Sequence, residues 1–272
     1  MLSLIKEMLS YPFLVRTFIV GVLVCVCAAL LGVSLVLKRY SMIGDGLSHV
    51  GFGSLAVATA LNRAPMAVAM PVVILTAFFL LRMSENGKLK GDSAVAMLSS
   101  SALAIGVMVM SFSKGMNVDV YNYMFGSILA VTKNDVIISA ALSAVVIILY
   151  LLFYTKIFAV TFDETFAKAT GTKAGLYNML LALLTAVTIV VGMRLMGSLL
   201  ISALVIFPAL TSMRVFKSFK SVVISSAVVS IVCFVVGITI SFLFSTPAGA
   251  SVVCTNLAVY LLFCLFRIPH TA

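Results

Sequence analysis

Residues that do chemistry are scarce in this chain. Among its 272 residues there are two histidines, His49 and His270, eight acidic side chains and no tryptophan. Two histidines cannot build a multi-histidine metal centre. The sequence has no GxxxxGK[ST] phosphate loop, so it does not hydrolyse ATP by itself. HExxH, GxSxG and any Ser-His-Asp set are also missing, and with them the common hydrolase chemistries. The chain is therefore not expected to be an enzyme or to hold a resident cofactor. Five cysteines, Cys25, Cys27, Cys233, Cys254 and Cys264, lie inside apolar runs without a CxxC pair. They read as small packing residues, not as a disulfide framework or a zinc knuckle.

Charge is scarce too. Charged residues make up 10% of the sequence and hydrophobic ones 63%. A soluble domain carries roughly 25% charge and 45–50% apolar residues. A soluble form would have an apolar surface on nearly every helix. The net charge of +10 is spread between apolar runs rather than clustered. That pattern fits the positive bias of cytoplasmic membrane loops and gives no reason to expect a nucleic-acid partner.

What is present is a series of apolar runs, each about the 20 residues needed to span a bilayer as a helix. They predict nine spans, at 16–37, 42–61, 64–82, 93–112, 134–155, 175–193, 195–213, 221–244 and 249–267. The first 13 residues, with Leu2, Leu4, Ile5, Met8 and Leu9 around Lys6 and Glu7, suit a short interfacial helix against membrane lipid. Orientation follows from the basic residues. Placing 38–41 in the cytoplasm puts Lys38, Arg39, Arg82, Lys88, Lys90, Lys156, Lys168, Lys173, Arg214, Lys217, Lys220 and Arg267 on that side. Lys6, Arg16, Arg63, Lys114, Lys133 and Arg194 are left outside, a division of 12 to 6 that favours an outer N-terminus. The longest polar stretch on the cytoplasmic side is then 156–174. The longest outer loop, 113–133, is semi-apolar from Val118 to Val131 and suits a short helix lying on the bundle. Asp119, Asn122 and Asp135 are expected as polar residues of that outer region, Arg194 as a snorkelling side chain at a turn, and Pro208 as a kink or helix end.

The segment Ser41–Gly53, SMIGDGLSHVGFG, carries the candidate site. Asp45 and His49 are spaced i, i+4 and share one helix face. Ionisable groups in an apolar run cost a few kcal/mol unless paired or wetted. One reading is a structural Asp–His contact, or an acid placed at a helix start. The other is a metal or proton site, since carboxylate oxygen and imidazole nitrogen are ordinary ligands for zinc or manganese. Two ligands bind weakly, which suits transit. In 161–172, TFDETFAKATGT, Phe162 and Phe166 are also i, i+4, Asp163, Glu164 and Lys168 offer polar contacts, and Gly171 can end the helix.

The run LKRYSMIGDGLSHVGFGSLAVA resembles the signature of the zinc/manganese-type ABC transporter permeases: a basic turn, Gly-Asp, Ser-His, then small residues. In order, YNYMFGSILAVTKND, FDETFAKATGTKAG, MGSLLISALVIFPALTSMRV and STPAGASVV are similar to further segments of that family, so the likeness covers about 15–265. Where the family often has Ala after the Asp and Pro-Gly after Ser-His, this chain has Gly46 and Val50-Gly51. The resemblance implies an all-α, polytopic helical bundle of about eight or nine spans, a single permease domain over 1–272 in the bacterial cytoplasmic membrane. It implies import of zinc or manganese, with iron open. It also implies a separate ATP-binding cassette subunit, an extracellular or periplasmic metal-binding protein, and a second permease copy as homodimer. Asp45 and His49 would contact the metal, and Phe162, Asp163, Glu164 and Phe166 would couple to the ATPase. A gradient-driven secondary metal transporter would also use intramembrane Asp and His, but would transport without ATP. An intramembrane enzyme would need a nucleophile–base set. A permease for chelated iron or cobalamin would lack the Asp-xxx-His pair.

Overall fold

The computed structural model describes residues 12–85, 91–112, 126 and 133–265. The expected interfacial helix before residue 12 and the loop helix within 113–132, with Asp119 and Asn122, lie outside those residues. Among the described residues there are eleven helices and no strand. Nine are long: α1 (Pro12–Leu37), α2 (Ser41–Ala60), α3 (Pro65–Glu85), α4 (Gly91–Phe112), α5 (Lys133–Leu152), α8 (Ala174–Met196), α9 (Ser198–Met213), α10 (Phe219–Phe244) and α11 (Ala248–Leu265). Two are short: α6 (Tyr154–Phe162) and α7 (Glu164–Ala169).

Seven of the long helices are long and apolar enough to cross a membrane. The other two are α9, with 16 residues, and α2, with 20. Helix α2 is diluted by four glycines and by Ser41, Asp45, Ser48, His49, Ser54 and Thr59. Such a helix is poorly matched to lipid. It is instead enclosed by α3, α4, α8 and α9, with most of its residues buried. Helix α1 occupies the other half of the interior, against α5, α8, α9 and α10, and α11 closes over α9 and α10.

Lipid is as apolar as a leucine side chain, so burial alone does not hold such helices together. Close backbone approach and hydrogen bonds do. Gly32 of α1 shows this: a Cβ there would come within 2.0 Å of the Val205 carbonyl oxygen on α9. Phe52, Leu47 and Leu55 of α2, Val24 of α1, Ile189 and Val190 of α8 and Phe234 of α10 form the main core.

Several helix ends are set by left-handed residues. At the end of α1, Arg39 takes φ +60°, and the Tyr40 and Arg39 amides donate to Leu35 and Val36. This is a Schellman close, bought with a non-glycine αL residue that costs about 1–2 kcal/mol. Asn62 and Ser245 end α2 and α10 with φ +50° and +51°. Gly171, at φ +80°, follows α7.

The 156–174 stretch is mostly helical, with Ile157, Val160, Thr161 and Ala167 buried against the bundle and Gly171 following α7. Pro208 lies inside α9 without ending it. One expectation changes. The turn between the sixth and seventh spans falls at Gly197, with Arg194 still inside α8.

Candidate functional site

Two regions of the bundle gather polar side chains. One lies on α2 and the other at the basic end of the bundle, where Lys38, α6, α7 and the start of α8 meet.

The α1–α2 corner is only three residues long, so α2 starts directly beneath the end of α1. Asp45 and His49 lie about 6 and 12 Å along α2 from Ser41, at 1.5 Å per residue. Asp45 is too deep to cap the helix: the cap position is Tyr40, without a side-chain bond, and the first turn holds no acid. The two side chains are on one face, both partly exposed, with His49 Nε2 3.7 Å from Asp45 Oδ2. That is beyond hydrogen-bond range. The other ring nitrogen, Nδ1, is buried and has no hydrogen-bond partner among the described residues. A buried polar atom left unpaired costs roughly 1–3 kcal/mol, and no described residue meets that cost at this imidazole.

The backbone beneath the pair is held firmly. Ser48 Oγ donates to the Asp45 carbonyl at 2.7 Å. Ser202 of α9 donates to Ser48 Oγ at 3.0 Å. On the α4 side, a Cβ at Gly53 would come within 2.6 Å of the Ala102 carbonyl oxygen. Two neighbouring helices therefore hold α2 at Ser48 and Gly53, while the Asp45 and His49 side chains remain partly exposed. Among the described residues no three His, Cys, Asp or Glu side chains converge on one point; Asp45 and His49 stand here as a pair.

At the basic end the four coupling candidates separate into two kinds. Asp163 caps α7, its carboxylate accepting from the Phe166 amide at 2.8 Å. Glu164 turns toward the bundle. Its Oε2 lies 3.3 Å from Lys38 Nζ and accepts from Asn178 Nδ2 at 3.1 Å. Its Oε1 lies 2.8 Å from Lys168. Burial raises the Glu164 pKa, but the bonds from Lys168, Asn178 and Lys38 outweigh it and hold the carboxyl down at about 2. Phe162 and Phe166 are outward, 59% and 64% exposed. Phe162 also packs on Phe158 and on Phe219 of α10, with ring centroids 4.9 and 5.9 Å away. Phe166 is the freer aromatic knob.

The sequence reading missed Lys38 and Asn178. Lys38 looked like one more basic loop residue, and Asn178 lies within an apolar run. Nothing in their spacing, 140 residues apart, signals that they meet.

A family model described as the ABC 3 transport family matches residues 10–267. A manganese import system permease protein, ScaB, from Streptococcus gordonii is 29% identical over 94% of this chain and 92% of its own length. A manganese transport system membrane protein, MntC, from Halalkalibacterium halodurans is 26% identical over 91% and 85%. Among solved structures, PsaBC from Streptococcus pneumoniae in complex with Fab superposes with a TM-score of 0.86, at 29% identity, over 96% of this chain and 94% of that one.

Proposed function

This chain belongs to the ABC 3 transport family, and from that premise we propose that it is the membrane permease of an importer for a divalent transition metal ion. The ion is manganese or zinc, with iron as the next candidate. The observation that carries this reading is the Asp45–His49 face, an acid and an imidazole on one helix with neither firmly bonded to the other. The manganese assignments of the ScaB and MntC relatives favour manganese. Oxygen and nitrogen ligands alone bind zinc more tightly than manganese, so selection of manganese would rest on what the binding protein delivers.

The cargo passes a site that must be neither absent nor too tight, because the ion has to leave. Two ligands per chain satisfy the second condition. A second permease copy related by a two-fold axis would satisfy the first by raising the side-chain ligands to four. Energy comes from a separate ATP-binding cassette subunit that docks on α6 and α7 from the cytoplasm, with Phe166 and Phe162 as its contacts. Metal arrives from an extracellular or periplasmic binding protein.

The test is cellular accumulation of manganese, zinc and iron in a deletion strain carrying wild-type, Asp45→Asn or His49→Ala protein. The wild type should restore uptake of one of these ions, and both variants should lose most of it at normal protein levels. Asp45→Asn keeps the shape and removes the charge. If both variants accumulate normally and import at the normal rate, Asp45 and His49 are structural. Uptake that persists without ATP would point instead to gradient-driven transport.

A further inference from the structure

A lysine at the end of a membrane helix ordinarily stretches its stem along apolar surface and leaves its ammonium in water. Lys38 does not, since its side chain is only 7% exposed. Burying an ammonium costs several kcal/mol unless each of its three donors finds an acceptor. Lys38 meets that condition in an informative way. It donates to the Val160 carbonyl of α6 at 3.2 Å, to Glu164 Oε2 of α7 at 3.3 Å and to Asn178 Oδ1 of α8. One proton therefore goes to each of three consecutive elements. Asn178 also donates to Glu164, so ammonium, carboxylate and amide close a triangle. A closed, satisfied polar network in a buried place is stiff and specific in geometry.

The other end of the same side chain is the α1–α2 corner. Lys38 precedes the left-handed Arg39 and the short link to Ser41. Helix α1 is deeply enclosed and has little freedom to shift. The corner is the covalent link from α1 to α2, so the position of Lys38 bears directly on where α2 starts. Asp45 is seven residues beyond Lys38 and His49 eleven. Helices α6 and α7 pack on each other, with further contacts to α1, α5 and α8, but make no substantial packing contact with α2. A displacement of α6–α7 has two routes to α2: through α8, which packs on all three, and through the corner that Lys38 holds.

We propose that Lys38 is a positioning residue: a strut that converts movement of the α6–α7 segment into movement of α2 and of its Asp45–His49 face. This rests on the permease reading above, in which the ATPase moves α6–α7. Phe166 receives the push, Glu164 and Asn178 pass it inward, and Lys38 delivers it to the corner. Lysine suits the position because its three donors point in three directions, whereas the planar fork of arginine would favour the carboxylate and forfeit the others.

The experiment uses the full chain assembled with its ATPase subunit in proteoliposomes, with the metal-loaded binding protein supplied on the substrate side, in wild-type form and as Lys38→Met, Glu164→Gln, the double variant, and Phe166→Arg. Three quantities are read: co-purification of the ATPase, ATP hydrolysis, and uptake of Mn²⁺ or Zn²⁺. A fourth arm places a cysteine at the exposed Met42 and follows its maleimide labelling, by mass of the α2 peptide, with and without a non-hydrolysable ATP analogue.

Phe166→Arg should lose the ATPase subunit. Lys38→Met should keep the subunit and its hydrolysis, while ions moved per ATP fall about tenfold, the scale of a coupling element worth a few RT. Glu164→Gln should fall less, because the amide oxygen still accepts from Lys38. The double variant should be no worse than Lys38→Met, since both act through one network. Nucleotide should change Met42→Cys labelling in the wild-type background and leave it unchanged with Lys38→Met.

Unchanged ions per ATP in Lys38→Met would overturn the strut. So would loss of the ATPase subunit from that variant, which would make Lys38 part of the dock. If Lys38→Met does not accumulate, Glu164→Gln decides: normal coupling there overturns the proposal. A wild-type assembly that hydrolyses ATP but moves neither ion defeats the metal reading alone. The labelling arm then still judges the strut, and nucleotide-independent labelling in the wild type would sink it.

Discussion

Arg194 Nη1 lies 3.0 Å from Asp135 Oδ1, joining the last turn of α8 to the first turn of α5. Sequence reading placed Asp135 in a wet outer region and Arg194 snorkelling at a turn. Asp135 is in fact buried, and Arg194 covers it. Removing one partner of a buried pair costs about 3–5 kcal/mol, because the other charge stays behind. Arg194 is about one third exposed, so the lower end applies. Arg194→Met should lower the thermal midpoint of the detergent-solubilised protein by several degrees, at roughly 2–4 °C per kcal/mol for a chain of this size. Asp135→Asn combined with Arg194→Met should recover much of the loss. Equal midpoints for wild type and Arg194→Met would show that the pair contributes nothing.

Gly32 offers a sharper test of packing. A methyl group there would meet the Val205 carbonyl at 2.0 Å. The obstacle is backbone, so no rotamer change relieves it. Gly32→Ala should force α1 and α9 apart and cost about 1–3 kcal/mol or more, as overpacking does. Gly175→Ala is the control: nothing lies within 4 Å of its Cβ position, and the effect there should be near zero or slightly stabilising. The readout is the yield of monodisperse protein on size exclusion after heating. If Gly32→Ala survives heating as well as Gly175→Ala, the close α1–α9 approach is not a constraint.

How much of this was legible in the sequence depends on how far each feature reaches along the chain. The long helices were readable because a span is a local property, an apolar run of sufficient length. Their ends were less so: α1 begins at Pro12 rather than at 16, and α8 runs to Met196 rather than stopping at 193. Helix α2 was read as an apolar run at 42–61, and its polar dilution makes sense only once four neighbours are seen to shield it. The Asp45–His49 face was visible as an i, i+4 spacing. The roles of Asp163 and Glu164 were not, because one caps α7 and the other faces inward, and only the surrounding helices decide which. Lys38, Asn178 and the Asp135–Arg194 pair were out of reach for the same reason. Lys38 and Asn178 are 140 residues apart and Asp135 and Arg194 are 59 apart, and no periodicity links them.

Glu164 supplies the last prediction, in which pH is the variable. Its carboxyl sits at about 2 in the folded chain against an ordinary 4.5, because Lys168, Asn178 and Lys38 favour the charged form more than burial opposes it. A folded pKa below the unfolded one means that the unfolded chain takes up the proton first as pH falls. The stabilisation is then fully present above about pH 4.5, shrinks as pH drops, and is gone once pH passes below about 2. Its size is reduced by solvent, since the side chain is 30% exposed. Glu164→Gln cannot ionise and lacks this contribution at every pH. The difference in unfolding temperature between wild type and Glu164→Gln should therefore stay constant from neutral pH down to about 5 and close steadily between about 4.5 and 2. Lys38→Met should narrow the neutral-pH difference, because it removes one of the groups that hold the carboxylate ionised. A difference that is flat across the acid range, or that widens on acidification, would mean that Glu164 is not an ionised partner of Lys38 and Lys168 in the folded protein.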